Sequence, residues 1–214
     1  MLDSFFVRLL KQPLAHAAKA LAVAGVSANR LTIFGFFLGV LACLFIAVDY
    51  LLMGFGLFVL NRIFDGLDGA VARIQGPTER GAFLDITLDF LIYSLVPLAF
   101  AVRDPSVALA ASFLLFSFVG TGSSFLAFSI FAARHQLENE ALKDKSIFYL
   151  QGLTEGFETI VVLGLMCLAP QWFELLAWFF GGLCLLTTGS RIYHGNQVLR
   201  GIARAEPDRL SETN

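Results

Sequence analysis

The chain of 214 residues is 57% hydrophobic, contains 23 phenylalanines and has a mean hydropathy of +0.74. This apolar content exceeds what the core of one soluble domain requires, so the composition predicts an integral membrane protein in contact with the lipid bilayer. A formal net charge of −2 and three cysteines without metal-ligand spacing argue against a nucleic-acid partner, a zinc site and a disulfide framework.

Residues 1–24 form the first predicted element, an amphipathic helix that lies in the membrane interface. Apolar side chains recur in its first part at helical spacing, at Leu2, Phe5, Phe6, Leu9 and Leu10. Polar residues and a proline interrupt the rest of the segment, at Lys11, Pro13, His16 and Lys19. The segment therefore lacks the continuous apolar core of a signal peptide, and we expect it to remain in the protein.

Six helices are then predicted to cross the bilayer. Their ranges are 31–48, a second helix that starts at 51, 81–102, 107–133, 146–168 and 172–193. The second helix is unusual because its apolar run stops at Leu60 and polar residues continue the same helix. The predicted fold is thus all-α and integral to the membrane, with a six-helix domain at 25–195 and a solvated cytoplasmic tail at 196–214.

The basic residues predict the orientation of these helices. Of the 15 lysines and arginines, all but Arg103 fall at one side of the predicted membrane domain. By the positive-inside rule, both termini and the 74–80 loop face the cytoplasm. We therefore expect a multi-pass protein with its functional site open to the cytoplasm.

Four aspartates form the main candidate site: Asp65, Asp68, Asp85 and Asp89. Each pair has a spacing that places its members on one helix face, and both pairs are centred on residues 76–77. If residues 74–80 connect antiparallel helices, the four carboxylates converge. Each like-charged pair at roughly 4 Å would then cost about 4 kcal/mol at an effective dielectric constant of 20, so the cluster requires cations. Oxygen ligands favour Mg²⁺, with Mn²⁺ as the alternative.

Small residues and an arginine follow the first pair of aspartates. Gly69 and Ala72 lie one turn apart on the same helix and allow a bound group to approach the backbone. Arg73 supplies a planar donor for a phosphate group. Together with a metal, these residues indicate a diphosphate ligand.

The complete stretch resembles the signature of the CDP-alcohol phosphatidyltransferases, D-x-x-D-G-x-x-A-R followed by G-x-x-x-D-x-x-x-D. Every fixed position is filled here, although the spacer before Gly81 has seven residues instead of the usual eight, and Thr78 keeps its usual distance from Gly81. Residues 29–32 with Gly35 also resemble the family's segment before its first core helix, with Ala28 in place of a common proline. The chain looks most similar to a bacterial inner-membrane branch whose acceptor we do not name.

The resemblance implies roles for individual residues. Asp65, Asp68 and Asp85 would hold metal, and Asp89 would share a second ion and act as general base. Contacts to the CDP donor are implied for Asn29, Arg30, Leu31, Thr32, Gly69, Ala72, Arg73 and Thr78. The implied reaction transfers a phosphatidyl or phosphoalcohol group from CDP-diacylglycerol, or another CDP-alcohol, to the hydroxyl of a small alcohol or lipid and releases CMP. Homodimers are common in this family.

Two glutamates in the fifth predicted helix are separate from this signature. Glu155 and Glu158 lie in a segment similar to the G-P-x-E-G stretch of aminoalcohol phosphotransferases, with Leu153 in place of proline. They could form an acceptor or cation pocket. They could equally be buried partners for Arg62 or Arg191.

Two other function classes fit part of the pattern. A membrane prenyltransferase also uses aspartates and Mg²⁺ on a diphosphate, but its pattern lacks the small residues and arginine seen here. An ion-coupled transporter would use carboxylates within the membrane. The aspartates cluster at one mouth of the bilayer, however, and no inverted repeat is apparent in the sequence.

Overall fold

The computed structural model describes residues 14–134, 154 and 156–212, with side chains through residue 202. Every regular element in these ranges is helical, as predicted. The elements are α1 (Leu14–Val23), α2 (Ala28–Ala47), α3 (Leu51–Gln75), α4 (Glu79–Arg103), a 3₁₀ turn (Pro105–Val107), α5 (Ala108–Arg134), α6 (Gly156–Leu168), a second 3₁₀ turn (Pro170–Trp172) and α7 (Phe173–Glu212).

Four helical segments within the described ranges are long and apolar enough to cross a membrane. They are Ala28–Ala47, Glu79–Arg103, Pro105–Arg134 and Pro170–Ile202. The second predicted span, α3, has sufficient length, but charged residues in its second half lower its hydropathy. The described part of the fifth, α6, has 13 residues, and residues 146–153 and 155 lie outside the description. The total of six spans therefore stays a prediction.

The two ends of the chain differ in how they compare with the predictions. Residues 1–13 of the predicted interfacial helix lie outside the described residues, and α1 covers most of its remainder. At the other end, the sixth predicted span, 172–193, coincides with the first part of α7, and the helix continues beyond that span to Glu212. The polar residues after Tyr193 indicate where the helix enters water. They do not by themselves end the helical backbone.

Among the described residues, 14–115 and 156–178 belong to the first of two compact units. Within it, α2 packs closely on α3 because glycines face the neighbouring helices. A Cβ atom on Gly54 would lie 3.0 Å from the carbonyl oxygen of Ala42, and one on Gly39 would lie 2.6 Å from a methyl group of Ile92. Side chains at these positions would push the helices apart, so the glycines set the helix separation.

A small apolar cluster fixes α1, α2 and α3 at the end where α3 stops. It consists of Ala18, Leu31, Ala70 and Val71, all of them buried. In addition, the Gln75 amide nitrogen donates a hydrogen bond to the Val26 carbonyl at 2.8 Å. These contacts place the start of α2 beside the last turns of α3, where the candidate site lies.

The second unit comprises, among the described residues, 116–134, 154 and 179–212. Its helices approach closely at Gly120, where an added Cβ would lie 3.0 Å from the Thr188 hydroxyl oxygen. The Thr154 hydroxyl donates to that of Thr187 at 3.0 Å in the interior, and Arg191 donates to the Thr121 carbonyl at 3.1 Å. Internal hydrogen bonds of this kind satisfy polar groups that lipid would leave unpaired.

Candidate functional site

Carboxylates from α3 and α4 converge as the sequence predicts. The turn between α3 and α4 spans residues 76–78, and Gly76 has a φ of +95°, a value that favours glycine. Asp65, Asp68 and Asp85 each offer one carboxylate oxygen, and these oxygens lie within 4.8 Å of one another. The hairpin therefore assembles three of the four aspartates into a single potential ligand set.

The buried member of this set carries an unsatisfied oxygen. Asp68 is only 4% exposed, and its Oδ2 atom has no hydrogen-bond partner among the described residues. A buried carboxylate oxygen without a partner is costly unless a cation or donor satisfies it. Because three carboxylates surround this position, the site fits the divalent metal predicted from the sequence, Mg²⁺ or Mn²⁺.

The fourth aspartate has a different neighbour. Asp89 Oδ1 accepts a hydrogen bond from Arg62 Nη2 at 2.9 Å. The same guanidinium donates through Nη1 to the Tyr93 hydroxyl at 2.9 Å and through Nε to the Asn61 side-chain oxygen at 2.7 Å. The Asn61 amide nitrogen in turn donates to the Gly35 carbonyl at 2.9 Å. Asp89 is thus held by a network that reaches α2.

Sequence reasoning missed this role of Arg62. It considered Arg62 only as a possible partner for Glu155 or Glu158, whereas the structure gives it partners on α3 and α4. The available signal was an arginine one helical turn before Asp65, at a point where the apolar run of the helix has just ended. A basic residue so close to four carboxylates is a candidate partner for them.

A cavity of about 350 Å³ adjoins the carboxylates. Its size lies within the range of small-molecule sites. Two members of the carboxylate set, Asp68 and Asp85, line it together with six residues that the family resemblance assigned to the donor: Asn29, Thr32, Gly69, Ala72, Arg73 and Thr78. The fold therefore brings a prospective metal site and most of the predicted donor contacts to one cavity.

Two predicted donor contacts do not line this cavity. Leu31 is 6% exposed and packs in the apolar cluster with Ala18, Ala70 and Val71. Arg30 is exposed and lies outside the cavity lining. Neighbouring helical residues point in different directions, so a continuous segment does not present all its side chains to one cavity.

Gly81 keeps part of the cavity wall open. The Thr78 hydroxyl caps α4 by accepting a hydrogen bond from the Gly81 amide at 3.1 Å. A Cβ atom on Gly81 would lie 3.0 Å from the Asn29 side-chain oxygen and 3.0 Å from the Thr78 hydroxyl. Any larger residue at this position would therefore displace two cavity-lining groups.

A narrower cavity lies beside the first and is lined by Asp65 and Asp89. Thr32 and Asp68 line both cavities. Asp89 lines the narrower cavity, and the two cavities adjoin at Thr32 and Asp68.

Of the two glutamates in the fifth predicted helix, the described residues include Glu158. Glu158 is half-buried in the first turn of α6, within the first unit. Glu155 lies outside the described residues. The structure does not bring Glu158 into either of the cavities described above.

Comparison with known proteins supports the family resemblance. Residues 25–186 match the family described as CDP-alcohol phosphatidyltransferase. The chain is also 47% identical over 205 residues to the inner membrane protein YnjF of Escherichia coli, across 95% of this chain and 100% of that protein.

Two solved structures share the fold. Phosphatidylinositol phosphate synthase PgsA1 of Mycobacterium tuberculosis with CDP-DAG bound superposes with a TM-score of 0.67 at 21% identity, covering 85% of this chain and 92% of that one. The same enzyme in complex with manganese and citrate gives a TM-score of 0.63 at 24% identity, covering 85% and 88%. At these identities, the likeness concerns the fold.

Proposed function

Because this chain belongs to the CDP-alcohol phosphatidyltransferase family, whose members transfer phosphate-containing groups in membrane phospholipid synthesis, we propose a specific version of that reaction. The protein transfers the phosphatidyl group of CDP-diacylglycerol to an alcohol hydroxyl and releases CMP. Another CDP-alcohol as donor, with transfer of its phosphoalcohol group, is the alternative.

One observation carries this proposal: Asp68 and Asp85 line the 350 Å³ cavity and also belong to the ligand set. A metal held by these carboxylates would adjoin whatever occupies the cavity. The guanidinium of Arg73 and the small residues Gly69 and Ala72 line the same cavity. A cytidine diphosphate group suits this combination because its charged phosphates need cations and its approach needs space.

The carboxylates divide the chemical work. Asp65, Asp68 and Asp85 would hold a divalent ion and Asp89 would share a second one; the metal supplies positive charge to a diphosphate when bound. Asp89 accepts the proton of the acceptor hydroxyl. The hydroxyl oxygen forms a bond to the phosphorus that carries the diacylglycerol group, and the bond from that phosphorus to the oxygen of CMP breaks.

The cavity residues orient the donor for this displacement. Arg73 pairs with a phosphate group, and Asn29, Thr32 and Thr78 offer hydrogen bonds at the cavity wall. The likeness to the CDP-DAG-bound enzyme supports this arrangement at the level of the fold. Neither Arg30 nor Leu31 lines the cavity, so these two residues affect the donor only through the cavity-lining residues beside them, Asn29 and Thr32.

We also propose the placement of the protein in the cell. It resides in the bacterial inner membrane, as its relative YnjF does by name. Residues 1–24 lie in the interface, 25–195 form the membrane domain and 196–214 form the cytoplasmic tail; the protein functions as a homodimer. A cysteine introduced at Pro77 should resist an impermeant thiol reagent added to intact cells. Labelling of this cysteine from outside the cell would contradict the predicted cytoplasmic position of the 74–80 loop.

The function is tested by CMP release from CDP-diacylglycerol by purified protein with a panel of alcohols. The panel includes inositol phosphate, because a structural relative is named for an inositol phosphate lipid. Asp85→Asn should abolish release, whereas Asp49→Asn, a substitution of an exposed aspartate far from the site, should not. Release from no CDP-alcohol with any acceptor would contradict the proposal.

A further inference from the structure

A buried guanidinium lies at the closed end of the carboxylate hairpin. Arg62 precedes Asp65 by one turn of α3. Tyr93 follows Asp89 by one turn of α4, and its hydroxyl accepts a hydrogen bond from Arg62 Nη1 at 2.9 Å. Because the two helices are antiparallel, Arg62 and Tyr93 form a layer farther from the 76–78 turn than the two aspartates.

Arg62 also contacts both aspartates of the adjacent layer. Its Nη2 atom donates to Asp89 Oδ1 at 2.9 Å, and its Nη1 atom lies 3.8 Å from Asp65 Oδ2. The carboxyl groups of Asp65 and Asp89 are themselves in hydrogen-bonding contact. A cation that faces both carboxyl groups offsets part of the repulsion between them. Arg62 thus connects a carboxylate of α3 with one of α4.

Further side chains fix the plane of this guanidinium. Its Nε atom donates to the Asn61 side-chain oxygen at 2.7 Å, and the Asn61 amide nitrogen donates to the Gly35 carbonyl of α2 at 2.9 Å. The rings of Tyr93 and Phe58 lie 5.0 and 5.9 Å from the central carbon atom of Arg62. The Arg62 side chain is 8% exposed, so it cannot turn without losing several of these contacts together.

Stability alone is a poor explanation for this network. A buried ion pair loses hydration energy, and its replacement by apolar residues is often neutral or stabilising. The hydrogen bonds of Arg62, by contrast, all end on Asp89 or hold the guanidinium that contacts Asp89. Because the proposed reaction gives Asp89 the proton of the acceptor, an effect on the orientation of Asp89 explains the arrangement better.

We propose that Arg62 is a positioning residue that orients the carboxyl group of Asp89, and that Asn61 and Tyr93 act through Arg62. The hydrogen bond from Arg62 engages Oδ1, so it limits the directions in which Oδ2 can meet a shared ion and the acceptor hydroxyl. This inference rests on the proposed function, which assigns both contacts to Asp89. Groups that hold a catalytic carboxylate or metal ligand in place typically contribute about 10- to 100-fold.

Lysine at position 62 separates geometry from charge. It would keep the positive charge and lose the planar fork that reaches Asn61, Tyr93 and Asp89 through separate nitrogens. Arg62→Lys should therefore lower kcat about 10-fold or more and change KM for CDP-diacylglycerol by less than about threefold. Near-normal kcat would contradict a role of the fork, and a KM that rises as much as kcat falls would place the effect at the donor cavity.

Tyr93→Phe is a milder substitution, because it removes the hydroxyl and keeps the ring. We expect kcat to fall about fivefold, the effect of one hydrogen bond. Tyr50→Phe, which alters a tyrosine that is 64% exposed, is the matched control and should leave kcat unchanged. In an Asp89→Asn background, Tyr93→Phe should change kcat by less than about twofold, because no base remains to be oriented. A fivefold loss in that background would overturn the proposal.

Nitrogen-15 NMR of the arginine side chains observes the contact without turnover. The full-length protein is labelled at arginine and saturated with Mg²⁺ and CDP-diacylglycerol. The Arg62 Nε–H and Nη–H signals, identified by their absence in Arg62→Lys, should be resolved and exchange slowly with water, because hydrogen bonds hold the guanidinium. Asp89→Asn and Tyr93→Phe should average the Nη–H signals and leave those of the other arginines in place.

Averaged Arg62 signals in the unmodified protein, with Mg²⁺ and CDP-diacylglycerol bound, would overturn the proposal, because the guanidinium would then not hold Asp89 in the complex that reacts. Resolved signals that do not respond to Asp89→Asn would overturn it as well. Since these signals do not depend on CMP release, an inactive protein with a fixed Arg62 would contradict the proposed function and leave the contact itself confirmed.

Discussion

Within the described residues, two arginine–aspartate pairs with short contacts stand in different surroundings. Arg62 contacts Asp89 at 2.9 Å, and Arg103 contacts Asp49 at 2.5 Å. The first pair has side chains that are 8% and 27% exposed, and the second has side chains that are 25% and 69% exposed. Distance alone therefore does not distinguish the two pairs, whereas burial does.

The difference in burial indicates different roles. An exposed ion pair typically contributes about 0–1 kcal/mol, so Arg103 and Asp49 form at most a weak clamp between the α2–α3 turn and the end of α4. The buried pair costs desolvation energy that its own attraction offsets only with further hydrogen bonds, which Asn61 and Tyr93 provide. Such a costly network beside three more carboxylates is better explained by function than by stability.

The largest expected effect comes from removing a member of the ligand set. Asp65→Asn should reduce CMP release by at least about 10³-fold and also weaken binding of the CDP donor, because the metal and the diphosphate bind next to each other. Asp49→Asn provides the control from the exposed pair. If Asp65→Asn and Asp49→Asn lost CMP release equally, the difference in burial between the two arginine–aspartate pairs would have no functional meaning.

A second substitution separates catalysis from donor binding. Asp89→Asn should lower kcat by about 10²- to 10⁴-fold, the usual contribution of a general base, with at most a modest loss of donor affinity. Turnover and CDP-diacylglycerol binding are measured on the same preparation. If the variant keeps near-normal turnover, the proton must leave by another route.

Thermal unfolding compares the two arginines directly. Arg62→Gln should destabilise the protein by about 3 kcal/mol, because it leaves Asp89 without its buried partner, whereas Arg103→Gln should cost less than about 1 kcal/mol. Cys43, Cys167 and Cys184 are buried, so a thiol-reactive dye reports their exposure on unfolding. A greater loss of unfolding free energy in Arg103→Gln than in Arg62→Gln would show that the exposed pair, and not the buried one, contributes more to stability.

The smallest expected effect concerns the cavity wall. Gly81→Ala should raise KM for the donor on the order of 10-fold, because the new methyl group would press on Asn29 and Thr78 at 3.0 Å. Gly182→Ala is the matched control, since a Cβ atom there meets nothing within 4 Å. An unchanged KM in Gly81→Ala would mean that the donor does not contact this wall.

The sequence allowed the carboxylate hairpin to be predicted because local spacing determines it. Aspartates at three- and four-residue intervals share a helix face, and a short turn between them leaves few alternatives to an antiparallel pair. The convergence of Asp65, Asp68 and Asp85 confirms that reasoning. Six of the eight predicted donor contacts share the cavity for the same reason, since they flank this hairpin or start the neighbouring helix.

The remaining features depend on contacts between helices. The pairing of Arg62 with Asp89 joins residues 27 positions apart and needs α3 and α4 at their actual separation. The burial of Leu31 depends on α1, which packs Ala18 against it. The extension of α7 to Glu212 was missed because hydropathy marks where a helix leaves lipid and not where its backbone ends.

The most direct test of the account observes donor and metal together. Phosphorus NMR of CDP-diacylglycerol with the purified protein and a small amount of Mn²⁺ reports whether the diphosphate lies beside the bound ion. We expect both phosphorus signals to broaden with the unmodified protein and to stay sharp with Asp85→Asn. Sharp signals with the unmodified protein, under conditions where it binds both Mn²⁺ and donor, would contradict the shared site of metal and CDP at Asp68 and Asp85.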